Sequence, residues 1–384
     1  YITDSLDKKF HTVGVFLDLS KAFDTVNHDI LLSKLGHYGI RGSALQWFRS
    51  YLSGRTQSVK FNNILSLQKA INVGVPQGSI LGPLLFIIYI NDLPNVSPKL
   101  KSIIFADDTT LFLSGKDLLE IKRDLNSELI KLSRWFESNK LSVNIKKTHY
   151  MLFSLHKNVQ NTLLDFRINE TPLGRVSNTK FLGVYIDENL NWVSHINHVC
   201  KKLRKSVGIL KKVKPFLNEK TLITLYYSLL YPYLTYCHLI WGNAAPTHLK
   251  RITIIQKKAI RLICDEDFLA HTDPLFQKTK IIRFQELYKY LTLLFTSKIK
   301  NNLFPISFRR QVNLELVDER TNPHSTRSSA NNLLNLPLCR TSLRQKTIFY
   351  QLYIAYNEFF IPLKLYEINT FQKTKQILKN IFSS

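Results

Sequence analysis

Methionine occurs once in this chain, at Met151, and cysteine four times, at Cys200, Cys237, Cys264 and Cys339. No Cys-x-x-Cys pair exists, so neither a zinc ribbon nor a disulfide framework is indicated, and reduced, intracellular thiols are the expectation. His195, His198 and Cys200 lie close together but have no matching second ligand pair, so they do not make a metal site by spacing. No apolar run reaches the roughly 18 residues of a membrane helix. The longest, Ile80 to Ile90, is broken by Gly82 and Pro83. No signal peptide is visible, because Tyr1-Ile2-Thr3-Asp4 turns polar at once. The missing initiator Met gives the expectation of a fragment of a longer reading frame.

Acidic residues are also scarce: 28 Asp and Glu stand against 53 Lys and Arg, a net charge of +25 over 384 residues. A polyanion is the natural partner of such a surface. Residues 1–195 carry 23 basic and 17 acidic side chains, and residues 196–384 carry 30 and 11. An AT-rich genome would account for a general lysine excess, but less well for this gradient. A hydrophobic fraction of 45% and an aromatic fraction of 12% exclude a disordered chain.

Val13 to Leu17 reads as a buried strand closed by Asp18. Asp29 to Leu35 and Ser43 to Leu52 read as helices, stopped near Gly36 and Gly54. Gln57 to Phe61 and Gln68 to Val75 look like strands. Pro76 opens a turn containing Gly78, before an apolar helix over Leu81 to Tyr89. Lys101 to Phe105 and Thr109 to Leu113 flank Ala106-Asp107-Asp108 as a hairpin. Residues 117–138 repeat apolar positions at helical spacing. Tyr150 to Phe153 and Phe181 to Ile186 are β-like. A basic helical pattern runs from Trp192 to about residue 264, and the signals weaken from about residue 271.

Three aspartates stand out by context. Acidic residues are depleted in buried strands unless their charge is compensated. Adjacent carboxylates repel and favour protonation unless a cation intervenes. A hard divalent ion with oxygen ligands is the simplest compensation. If Asp18 lies beside the hairpin, it converges with Asp107 and Asp108. The three could then hold two metals about 3.5–4 Å apart, a clamp for in-line phosphoryl transfer. Taken singly, each is also an ordinary turn residue. Order and spacing weigh against that: Phe16 to Asp24, then Gly74 to Ser79, then Phe105 to Asp108.

In this order the three segments resemble the A, B and C motifs of reverse transcriptases, in the form typical of non-LTR (LINE-type) retrotransposons. Leu141 to Thr148 resembles the D motif and Phe181 to Val184 the E motif, or primer grip. Tyr231 to Gly242 and Ile255 to Arg261 look like the region downstream of that palm in animal non-LTR elements. The resemblance covers about residues 1–265. It implies an α+β fold: a polymerase palm with an antiparallel sheet backed by helices, then a helical thumb, with the fingers mostly missing. The expected division is palm 1–187, basic thumb-like region 188–270, and a C-terminal region 271–384 of unknown role.

The implied activity is RNA-directed DNA synthesis with two Mg²⁺ or Mn²⁺ ions, on an RNA template, a DNA primer or target, and dNTPs. By the same resemblance Asp18, Asp107 and Asp108 are catalytic metal ligands, and Leu19 offers its carbonyl. Phe23 is the steric gate, or else a core aromatic. Gln77 and Gly78 lie beside the nucleotide. Lys147 serves the leaving pyrophosphate, with Lys146 as its neighbouring alternative. Leu182 and Gly183 form the primer grip. Lys201, Lys202, Arg204, Lys205, Lys211, Lys212 and Lys214 track phosphates from the thumb, or form an ordinary solvated face. Asp24 is expected to be structural. The implied setting is the nucleus and cytoplasm, with no membrane and no inferable protein partner. A non-catalytic nucleic-acid-binding remnant is the main alternative. A metal-dependent nuclease leaves Phe23 and the Gly74 to Ser79 segment without a role. The Tyr231 to Gly242 segment disfavours an intron-encoded or bacterial reverse transcriptase.

Overall fold

The computed structural model describes residues 1–156, 159, 164–309, 333–334, 336–368 and 370–383. Part of the 271–384 region therefore lies outside the described residues. The chain divides into two units, Tyr1–Ser177 and Asn178–Ser384.

The first unit opens with helix α1 (Ile2–Asp7) and strand β1 (His11–Leu17), followed by a 3-10 turn at Ala22–Asp24. Helices α2 (His28–His37) and α3 (Gly42–Leu52) come next; the Asn27 side chain caps α2 by accepting the Ile30 N–H. Four short strands then pair off, β2 (Arg55–Gln57) with β5 (Lys69–Ile71) and β3 (Lys60–Phe61) with β4 (Ile64–Leu65). They are shorter than the two strands expected over Gln57–Phe61 and Gln68–Val75, and almost wholly exposed. Without a core face to pack against, their apolar residues do not hold a longer ladder.

Helix α4 (Leu81–Ile90), the hairpin β6 (Lys101–Phe105) and β7 (Asp108–Gly115), helix α5 (Leu118–Ser138) and strand β8 (His149–Phe153) complete the expected pattern. A small pair, β9 (Arg167–Ile168) and β10 (Thr171–Pro172), precedes β11 (Gly174–Arg175). The main sheet has the order β11-β8-β1-β7-β6, antiparallel except between β8 and β11. Strand β1 is central and buried at every residue, which explains its unbroken apolar run. Leu125, Leu129 and Phe136 of α5 and Leu85 and Phe86 of α4 share one core with Val13, Val15 and Leu152. Each such side chain contributes about 1.5–3 kcal/mol by leaving water.

The second unit begins with the hairpin β12 (Asn178–Phe181) and β13 (Val184–Asp187). Phe181 to Ile186 is thus two strands rather than one run. Leu182 (φ 45°) and Gly183 (φ 83°) are both left-handed, the backbone of a type I′ turn. The Asp187 carboxylate accepts the backbone N–H groups of Asn189, Asn191 and Trp192, ordering the entry to α6 (Val193–Val213).

Helices α7 (Glu219–Leu229), α8 (Tyr231–Thr235), α9 (His238–Trp241), α10 (Pro246–Cys264), α11 (Asp273–Thr279) and α12 (Phe284–Lys300) follow. Their core joins Leu203, Tyr226, Trp241, Ile260 and Leu293 to Phe360, Leu365 and Leu378. The described part of 271–384 therefore belongs to the same unit as 188–270, with no boundary at 270. The palm-like unit ends ten residues before the expected limit at 187, because the 178–187 hairpin goes with the helices. Among the described residues no helix is long and apolar enough to cross a membrane.

Candidate active site

In the ladder between β1 and β7, Leu17 lies opposite Thr109. One further step of the same register sets Asp18 across from Asp108. Phe105 pairs with Asp108, so Ala106 and Asp107 form a two-residue turn, with Ala106 left-handed at φ 53°. The expected convergence of Asp18 with Asp107 and Asp108 follows from strand order alone. Burial, then the charges of Asp107 and Asp18, pushes the Asp108 carboxyl above its ordinary value.

Asp18 is held from the opposite edge of β1. Its N–H donates to Thr148 Oγ1 at 3.2 Å, and its carbonyl accepts the Asn144 N–H at 2.7 Å. Lys147 Nζ stands 3.8 Å from Asp18 Oδ2, a pairing that separates it from Lys146. Leu19 faces Val143 in a bridge whose bonds come from the flanking residues, Ser20 N–H to Ser142 O and Asn144 N–H to Asp18 O. Successive strand residues bond alternate edges. The Leu19 carbonyl therefore turns to the edge where β7 carries Asp108. Among the described residues, no three His, Cys, Asp or Glu side chains already stand in a metal-holding group. That covers the aspartates as well as His195, His198 and Cys200. His195 instead uses Nδ1 to accept the Tyr185 N–H, and burial lowers its pKa to about 4.

The Gly74–Ser79 segment is knitted to the 22–28 stretch. Gly74 N–H donates to Val26 O at 2.7 Å, Val75 N–H to Phe23 O at 2.8 Å, and His28 Nε2 pairs with Gly74 O at 2.7 Å. A Cβ on Gly74 would meet Asp24 O at 2.8 Å, and its φ is 90°, so only glycine allows this approach. Gln77 Nε2 donates to Asp24 Oδ1 at 2.8 Å. Gly78 also has a left-handed φ, 82°, with open space around it. Phe23 is half-buried and packs its ring on Phe86, centroids 4.6 Å apart.

In the second unit, the Tyr236 hydroxyl donates to Leu182 O at 2.6 Å, and its ring lies 3.2 Å from where a Gly183 Cβ would stand. On α6, Lys201, Arg204, Lys205, Lys211 and Lys212 are exposed on the face opposite the buried Ile196, Val199, Leu203 and Leu210. Lys202 is half-buried at the flank of that face, and Lys214 ion-pairs with Asp265. Burial first, then Lys202, Lys180 and Lys201, depresses the His198 pKa, which adds Lys180 of β12 to these basic surroundings.

Four of these residues have no site role in the sequence reading, and Asp24 among them is expected there to be structural. Asp24 as partner of Gln77 was findable, because it ends the same motif as Asp18. Thr148 and Asn144 lie within the segment already singled out. Tyr236 carries no local signal for its bond to a turn 54 residues away.

Comparison with known proteins matches residues 3–186 to the family described as reverse transcriptase (RNA-dependent DNA polymerase). The chain is 29% identical over 299 residues to a probable RNA-directed DNA polymerase from transposon X-element of Drosophila melanogaster, covering 75% of this chain and 32% of that protein. It is 30% identical over 284 residues to a probable RNA-directed DNA polymerase from transposon BS of the same species, covering 69% and 30%. Among solved structures it resembles apo telomerase from Candida tropicalis, with a TM-score of 0.37 and 14% identity, over 81% of this chain and 54% of that one. The chain spans about a third of the length of the curated relatives it matches.

Proposed function

Because the chain belongs, through residues 3–186, to the reverse transcriptase family of non-LTR retrotransposons, we propose that it copies an RNA template into DNA. The reaction is nucleotidyl transfer from a dNTP to a primer 3′-hydroxyl. The observation that carries this reading is the β1–β7 register, whose last pair, Leu17 with Thr109, leaves Asp18 and Asp108 as the next residues at one end of a buried central strand.

The residues fit a pair of hard divalent cations. Every donor is an oxygen, and Asp108 is burdened by two neighbouring carboxylates that a cation would relieve. Asp18, Asp107, Asp108 and the Leu19 carbonyl would hold Mg²⁺ or Mn²⁺, which supplies a more acidic 3′-hydroxyl and charge neutralisation at pyrophosphate. Lys147 shares the Asp18 carboxylate and donates a proton or charge to the departing pyrophosphate.

Phe23 is braced by Phe86, so its ring cannot swing away from a ribose 2′-hydroxyl, and dNTPs are favoured. Gln77 and Gly78 line the nucleotide with an amide and an open backbone. The Leu182-Gly183 turn, fixed by Tyr236, holds the primer. The exposed cations of α6 bind phosphates without regard to sequence. RNA template, DNA primer or target, and dNTPs are the partners, met in the nucleus and cytoplasm.

The test is extension of a DNA primer on an RNA template with Mg²⁺ or Mn²⁺, wild type beside Asp107→Ala. Synthesis that disappears in the variant, by at least ~10²–10³-fold, is expected. Salt-sensitive RNA binding without any wild-type synthesis would contradict the proposal and leave a nucleic-acid-binding remnant.

A further inference from the structure

The two hydrogen-bonding faces of a glutamine amide differ, and a bare side chain in solvent presents either one. A carboxylate accepts and does not donate, so it pairs only with the NH₂ face. Gln77 Nε2 donates to Asp24 Oδ1 at 2.8 Å. This one bond decides which way round the amide stands: Oε1 and the second N–H are directed away from Asp24. Both side chains are exposed.

The backbone beneath the pair is fixed independently. Asp24 closes the 3-10 turn Ala22–Asp24, with its N–H bonded to Lys21 O at 2.8 Å. Gly74 approaches the Asp24 carbonyl so closely that no side chain fits, and the Gly74 and Val75 N–H groups bond back to Val26 and Phe23. Asp24 and Gln77 are therefore held opposite each other by main-chain bonds that need neither side chain. What the side-chain bond adds is orientation.

We propose that Asp24 is a positioning residue for nucleotide selection, acting by presenting the Gln77 Oε1 acceptor to the incoming dNTP. This rests on the polymerase reading, in which Gln77 lies beside the nucleotide. Asp24 itself touches no reacting atom. Its effect falls on nucleotide affinity and leaves the chemical step alone.

The test uses the full chain in two formats. One is steady-state primer extension with a dNTP titration. The other is retention of a dideoxy-terminated primer–template by the next complementary dNTP in a gel shift, which needs no turnover. Asp24→Ala is expected to raise the KM for dNTP and weaken retention by about tenfold, with kcat within about twofold. In a Gln77→Ala background, adding Asp24→Ala changes nothing further, because the bond is already gone. Gln77→Glu sets two carboxylates against each other and raises KM. Adding Asp24→Asn to Gln77→Glu recovers part of the loss, since the new amide donates to the new carboxylate; this pair also decides the matter if Asp24→Ala unfolds. Wild-type behaviour of Asp24→Ala overturns the proposal while the polymerase reading stands, and so do effects that add in full to Gln77→Ala. A wild type with neither extension nor dNTP-dependent retention overturns the polymerase reading, and this proposal with it.

Discussion

The two units carry their charge differently. Residues 1–177 have a net charge of +7 and residues 178–384 a net charge of +18. In the first, the residues of interest lie on adjacent strands and the turn between them, locked by register. In the second, apart from the Leu182-Gly183 turn and Tyr236, they lie along one solvent-facing stripe of a single helix. Two-metal chemistry needs oxygens placed to fractions of an ångström, which a central strand paired on both edges supplies. Gripping a phosphate backbone needs only a row of cations at roughly matching spacing, which an amphipathic helix supplies readily. On the proposed reading, one unit serves placement and the other field.

The sharpest way to break that division is Asp107→Ala. It removes synthesis, while RNA binding measured by fluorescence anisotropy stays within about twofold, since the stripe on α6 is untouched. A parallel fall in RNA binding would mean that the two jobs are not divided.

The converse experiment has the next largest effect. Replacing Lys201, Arg204, Lys205 and Lys211 together by Gln flattens the slope of log K against log[salt] by about 1 for each phosphate no longer gripped. At dNTP and template saturation the chemical step is unchanged. If the slope does not move, the stripe is an ordinary solvated face.

The smallest effect is on stability, and it separates the units by pH. Burial lowers the pKa of His195 to about 4 and that of His238 to about 3, both in the second unit. In the unfolded chain these side chains take up a proton near about 6.5. Between that value and about 4 the unfolded state therefore binds more protons, and stability falls as the pH falls. Asp108 in the first unit runs the other way: its raised pKa means that mild acid relieves repulsion. Thermal melts between about pH 7 and 5 are expected to show the second unit weakening, and His195→Gln to flatten that dependence. A melt that is flat in wild type would contradict the burial of these rings.

What could be read from the sequence follows the same division. Asp18, Asp107 and Asp108 stand out in the sequence by their order and by their places at the end of an apolar run and between two β-like runs; that they are neighbours is what the β1–β7 pairing adds. The helices α2, α3, α4 and α5 were legible from their apolar runs and spacing. The turn inside Phe181–Ile186 was not, because Leu182 takes a left-handed φ that leucine rarely adopts.

The second unit's arrangement depends on long-range bonds. Gln256 binds the Tyr226 hydroxyl, the Ile282 carbonyl and the Phe284 N–H from the middle of α10, and nothing near it in sequence announces this. Among the described residues beyond 300, several helices are short, such as Ser342–Gln345 and Ile348–Ala355, although Phe371–Ser383 runs 13 residues. Short helices give too few turns for an apolar period to stand out.

The central claim is that one strand register gathers Asp18, the Leu19 carbonyl, Asp107 and Asp108 around bound metal. The direct measurement is Fe²⁺-directed hydroxyl-radical cleavage of the chain, in the presence of primer–template and dNTP. The account predicts backbone cuts confined to the neighbourhoods of residues 18–19 and 106–108, suppressed by Mg²⁺ and absent in Asp107→Ala. Cuts that cluster elsewhere, or that persist unchanged in Asp107→Ala, would contradict it.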